Sequence, residues 1–199
     1  MKMQNIVILV FLLIVLFQPV WGQNATLTGT ITTPTATALS GVEVRLLGES
    51  DNLIATQTTA ANGRFDFDNL NQGETYTLTF SKSDAPLNGV STFDAVVTAR
   101  HILGITFLST PEKILAADVN LSGAVTTLDI LQMRRLILNI DQAFPILPSW
   151  RFISADLDLS DPNASPNDNN TLSVTLDGTT TVQNIKGIKL GDLNDSVIP

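Results

Sequence analysis

The residues of this chain best suited to chemistry lie in one run of twelve, Asp118-Val119-Asn120-Leu121-Ser122-Gly123-Ala124-Val125-Thr126-Thr127-Leu128-Asp129. Oxygen-bearing side chains alternate with apolar ones, and a glycine holds the sixth place. Calcium takes six to eight hard oxygen ligands, and a loop of this length supplies them from places one, three, five, seven, nine and twelve, with glycine at six for the sharp turn. Asp118, Asn120 and Ser122 fill the first three, Ala124 lends a backbone carbonyl, Thr126 offers a hydroxyl or a bridged water, and Asp129 closes the set. Val125 is expected to point into a core. The competing reading is an Asn/Gly loop with an ordinary helix cap, because Thr126, Thr127 and Asp129 also suit a first helical turn.

Other chemistries lack their parts. The chain has one histidine, His101, and no cysteine, and no glycine-rich loop suited to cradling phosphate, so zinc, thiol and nucleotide chemistry are not expected. Carboxylates are abundant enough that composition alone does not exclude a glycosidase, but no acid and nucleophile pair stands out. Nineteen acidic residues against eleven basic ones, the latter scattered, argue against nucleic acid and suit a cation.

The loop opens a helix. From Ser91 the apolar period changes from two to 3.6, and 91–105 aligns with 126–140 at an offset of 35. Thr92, Asp94, Arg100, Ile102, Leu103 and Ile105 then meet identical residues, Thr127, Asp129, Arg135, Ile137, Leu138 and Ile140. This is an internal duplication, and so short a repeat builds one domain from two units. The residues before the loop, 114–117, follow Pro111 and leave little room for an incoming helix. With Asp94 at place twelve, the first copy has Ser83, Ala85 and Leu87 at places one, three and five, so its ligands are weak. Asp84, Asn88 and Asp94 are the candidates for a distorted second calcium site, against a degenerate half in which Asp94 only caps a helix.

A duplicated loop-plus-helix of this kind, over 82–140, resembles the type I dockerin family. That resemblance implies two calcium ions and docking through the helix faces onto a cohesin-like protein or surface scaffold. The partner-facing places of the family fall here on Thr127, Leu128, Arg134 and Arg135. A solvated face or a local ion pair is the plainer reading of the two arginines.

Upstream, 25–81 reads as short strands between turn signals at Gly29, Gly41, Asn62-Gly63 and Gln72-Gly73. Tyr76, Leu78 and Phe80 alternate with threonine, Val42, Val44 and Leu46 alternate in the same way, and Phe65 and Phe67 repeat it. The order Gly29-Thr30-Ile31, Ser40-Gly41-Val42-Glu43-Val44, Asn62-Gly63-Arg64-Phe65-Asp66-Phe67, Leu70, Gly73, Tyr76 resembles the carboxypeptidase-regulatory and collagen-adhesin B-type modules. It implies a transthyretin-like β-sandwich acting as a non-catalytic spacer. Lys82 lies past the last of these strands, so the Lys–Asn isopeptide bond of some adhesin relatives is not expected.

Lys2, the apolar run 6–17 and the small residues Val20 and Gly22 read as a secretory signal peptide cleaved before Gln23, with no membrane span remaining; a retained anchor is the rival reading. After 140 comes an Asp/Asn/Pro-rich loop in which Asp156, Asp158 and Asp161 are weak ligand candidates. A hairpin is expected from 172–176 and 182–190 around Asp177-Gly178, with Trp150 and Phe152 beneath it. Gly191-Asp192-Leu193-Asn194-Asp195-Ser196 repeats the first half of the calcium loop, but the twelfth place is missing; Asp192 could contribute to a shared site or to a terminal turn, and the turn is the expectation.

The sequence therefore predicts a multi-domain β plus α chain: signal peptide 1–22, β-sandwich 23–81, duplicated loop-helix domain 82–140, and loop-and-hairpin tail 141–199. The expected protein is extracellular or surface-bound and non-catalytic, with calcium stabilising a module for protein docking or adhesion. The alternative is an accessory subunit of a polysaccharide-degrading system. Such a subunit would bind glycan with Tyr76, Trp150 and some phenylalanines as stacking surfaces.

Overall fold

A computed structural model describes residues 24–82, 85–160 and 169–198; the signal-peptide expectation, Asp84 and Asp161 lie outside them. Two sheets pack face to face. The first runs β4 (Arg64–Asn71), β1 (Asn24–Thr32), β9 (Ile185–Lys189), β6 (Trp150–Ser154), with β8 (Thr180–Val182) also beside β1. The second runs β3 (Leu53–Thr58), β2 (Glu43–Leu47), β5 (Thr75–Ser81), β7 (Thr171–Thr175). The alternation read from the sequence sets the inner faces: Leu27, Ile31, Val44, Leu46, Phe65, Phe67, Tyr76, Leu78 and Phe80 share one core. Phe80 lies between Phe65 and Phe152, at centroid separations of 6.4 and 5.7 Å, within the range favoured by aromatic pairs.

The expected tail hairpin does not form. β7 instead pairs antiparallel with β5, and β8 and β9 run parallel to β1. Each therefore covers a strand that would otherwise be an open edge, and full pairing there outweighs a local hairpin. Trp150, Phe152, Val174, Leu176 and Ile185 complete the sandwich core rather than a separate tail. Asn184 bridges the break between β8 and β9 by accepting from the Thr30 amide (3.1 Å) and hydroxyl (2.9 Å).

Three helices sit outside the sheets: α1 (Thr92–Ile102), α2 (Pro111–Ala117) and α3 (Thr127–Ile137). The short helix α2 corrects the expectation that no helix enters the loop. Pro111 occupies the first helical turn, where its missing N–H costs nothing, and the Thr110 side chain caps the Lys113 amide. β9 joins the helices to the sandwich through its alternation. Ile185 faces the sandwich core, whereas Ile188 packs with Ala116 of α2 and Lys186 pairs with Glu112 of α2 at 2.8 Å. Gly187 lies against Leu39 and Phe152 so closely that a Cβ would stand 2.7 and 3.1 Å from them. Helices α1 and α3 share a second core with Val90, Val119, Phe144, Leu190 and Leu193. Among the described residues no helix is long and apolar enough to cross a membrane.

Candidate functional site

α2 ends at Asp118, which is its C-cap, and α3 begins after Thr126, so the twelve-residue loop is gripped at both ends. Asp118 shapes the first half. Its Oδ1 accepts from the Ser122 amide (2.9 Å) and its Oδ2 from the Gly123 amide (2.8 Å). Asn120 Oδ1 accepts from the same Ser122 amide (2.9 Å), and the Ser122 hydroxyl donates to the Ala124 carbonyl (3.0 Å). Gly123 has φ +81, a conformation side chains disfavour, as the turn requires. Asp129 shapes the second half. Its Oδ2 accepts from the Thr126 amide (2.8 Å) and hydroxyl (3.1 Å), closing a capping box, and its Oδ1 accepts from the Asn120 amide across the loop (3.3 Å).

Asp118 and Asp129 are 4% and 0% exposed, and no ion pair among the described residues joins either to a lysine or arginine. Buried anions need hydrogen bonds or a cation, and here loop amides supply the former. Each carboxylate oxygen keeps further acceptor capacity. The donor set, two carboxylates with amide, hydroxyl and carbonyl oxygens, is hard and suits calcium rather than zinc. Among the described residues no three Asp, Glu, His or Cys side chains converge, so any ion here would depend on the neutral oxygens. Val125 packs against the helical core, as its place in the loop implies.

The first repeat is arranged differently from its sequence alignment. Asp94, fully buried, accepts through Oδ2 from the Ser91 amide (2.9 Å) and hydroxyl (2.7 Å), as Asp129 does from Thr126. Its Oδ1 accepts from the amide of Leu193 (2.9 Å), ninety-nine residues away. Asn88 does not face Asp94: its amide exchanges hydrogen bonds with the Ile198 backbone. Asp192, for which the sequence favours a terminal turn over a shared site, is buried beside Asp94, and its carboxyl is pushed above its ordinary value. Burial is the main cause, and the neighbouring Asp94 charge adds to it against hydrogen bonds from loop amides.

α1 and α3 meet at equivalent residues, with the Thr98 hydroxyl 3.8 Å from the Met133 sulfur. Phe93 and Val96 of α1 and the equivalent Leu128 and Leu131 of α3 are exposed, as are Leu103 and Leu138 at the helix ends, Ile105 and Ile140 just past them, and Phe107. Of the expected partner-facing residues, Thr127, Leu128 and Arg134 are exposed. Arg135 is exposed too but is engaged bidentately by Asp141 at 2.6 and 2.7 Å. His101 accepts from the Leu108 amide (3.3 Å) and packs edge-on against Phe107, a structural use of its ring. Asp158 caps the Ser160 amide and hydroxyl, and Asp156 is exposed. Tyr76 and Trp150 are buried, so neither offers a ring face to a sugar.

Residues 26–100 match the family model of the carboxypeptidase regulatory-like domain. The match covers the regulatory-like strands β1 to β5 and ends inside α1, short of α2, α3 and the Asp118 loop. Over 44 residues the chain is 50% identical to a fibrinogen-binding protein of Staphylococcus epidermidis, a stretch that covers 22% of this chain and 4% of that one. Among solved structures, the C-terminal fragment of pilus adhesin SpaC from Lactobacillus rhamnosus GG is 22% identical. That alignment covers 31% of this chain and 24% of the fragment, with a TM-score of 0.27. A Mobiluncus mulieris adhesin with intramolecular cross-links is 11% identical over 84% of this chain and 41% of its own, with a TM-score of 0.32.

Proposed function

We propose that this protein is a non-catalytic extracellular binding module. Its regulatory-like sandwich carries a helical unit, and that unit docks a protein partner. The observation that carries this is the uncovered face of α1 and α3. Four pairs of equivalent apolar residues are exposed on these two helices and the turns that follow them, together with Arg100, Arg134 and Arg135. Large apolar side chains left exposed on packed helices point to an interaction site, and here the charged side chains exposed on the two helices are basic in a chain of net charge −8. An acidic-rimmed apolar surface on another protein is its complement. The name of the staphylococcal relative is in keeping with protein binding.

Calcium is proposed to stabilise this face through the loop before α3, held by Asp118, Asn120, Ser122, the Ala124 carbonyl, Thr126 and Asp129. When bound, the ion would supply the positive charge that the two buried carboxylates lack. A weaker second ion would sit where Asp192 faces Asp94. At a calcium concentration one hundred times the dissociation constant the folded state gains about 2.7 kcal/mol, roughly 5–10 °C in melting temperature for a chain of this size. A melt that does not respond to calcium or chelator in the parent protein would remove calcium from the reading.

Docking is tested with Val96→Asp/Leu131→Asp as bait beside the parent in affinity capture from secreted and surface proteins. A partner retained by the parent and lost by the variant, at equal melting temperature, is the expected outcome. Partners retained equally by both would place docking elsewhere.

A further inference from the structure

Asp192 to Ser196 repeats the hydrogen-bonded turn of Asp118 to Ser122 at an offset of 74, and the positive φ of Gly123 (+81) is taken up not by Val197 but by Gly89 (+80). Asp192 Oδ1 accepts from the Ser196 amide (3.1 Å) and Oδ2 from the Val197 amide (2.8 Å), as Asp118 accepts from Ser122 and Gly123. Asp195 has φ 57, matching φ 54 at Leu121. Leu193 is buried in the helical core in the place of Val119. The Ser196 hydroxyl donates to the Gly89 carbonyl (3.2 Å), as that of Ser122 donates to Ala124 (3.0 Å). Gly89 lies 35 residues before Ala124, the spacing that relates α1 to α3.

We infer that residues 192–197 are the displaced first half of the first repeat. They close a loop whose second half is 89–94, and act as the clasp that seats α1 against α3. The loop is cut in sequence but continuous in space. At the cut, Ile198 leaves as Asn88 arrives, and the two hydrogen-bond each other. Gly89 permits the closure: with φ +80, a Cβ there would stand 2.8 Å from Asp192 Oδ2 and 3.0 Å from the Val197 Cα. Without the clasp, Asp94 loses its Leu193 partner and the helical core loses Leu193. The closure stands on this geometry alone; its consequence for docking rests on the reading of the α1 and α3 face proposed above.

Hydrogen exchange, run in chelator and without any partner, tests the closure apart from both calcium and docking. A full chain carrying Gly89→Ala, and a chain ending at Leu190, should each lose roughly tenfold or more of the amide protection in α1 while the β1–β4 ladder keeps its own. Grafting the sequence of 192–197 immediately before Gly89 in the shortened chain should restore protection to α1. Unchanged α1 protection in the shortened chain, or a graft that restores nothing, would overturn the inference. Equal loss across both sheets would overturn it as well, since the segment would then support the whole fold rather than α1.

Discussion

Asp118 and Asp129 are buried carboxylates satisfied by amides of their own loop, so each holds backbone shape as well as charge. Asp118→Ala removes acceptors for the Ser122 and Gly123 amides and should abolish the melting response to calcium, with the parent measured in parallel. Glu112 shows a different electrostatic case. Burial pushes its carboxyl up, but the Lys186 hydrogen bond and charge, with backbone and Thr110 hydrogen bonds, outweigh that and hold it below its ordinary value of 4.5. A depressed carboxyl contributes stability that is present above 4.5 and is lost as pH falls through its folded value. Glu112→Gln should therefore cost about 0.5–1 kcal/mol near neutral pH, and the difference from the parent should vanish in acid. Urea melts at both ends of that range check the sign.

At the scale of elements, capping decides where each helix starts. Thr110, Thr126 and Ser91 stand before α2, α3 and α1, and the last two form boxes with Asp129 and Asp94. Thr110→Ala should cost about 1 kcal/mol by freeing the Lys113 amide, read as a lowered urea midpoint with an unchanged slope. The α1 and α3 stripes explain why periodicity overstates burial here. Asp94, Ala95 and Thr98, and Asp129, Met133 and Leu136, face inward, whereas Phe93 and Val96, and Leu128 and Leu131, face solvent. Apolar pattern marks both cores and docking faces, and only packing separates them.

For the whole molecule, the two sheets are completed by strands that come after the helices. Asn170 ties them together. Its side chain donates to the Trp150 carbonyl (3.0 Å) and accepts from the Phe152 amide (2.8 Å), while its own carbonyl accepts from the Phe80 amide (3.0 Å). Asn170→Ala would strand two buried backbone groups, at about 1–3 kcal/mol each, measurable by urea denaturation. A chain ending at residue 140 would lack β6, β7, β8 and β9, exposing Phe65, Leu78 and Phe80. It should show no cooperative melt and should bind a hydrophobic dye.

The strand alternation of 25–81, the helices at 92–102 and 127–137, and the Asp118 loop were all legible in the sequence, because each depends on residues within a few places of one another. The duplication at an offset of 35 was legible for the same reason. Pairing of β7 with β5 and of β9 with β1 and β6 was not, since strand partners are chosen by which edges remain open after the rest has packed. The same limit hid the first repeat. Local reading looked for its missing half immediately before Gly89, but hydrogen bonds and burial do not require sequence continuity. Only the packed chain could bring Asp192 to Asp94.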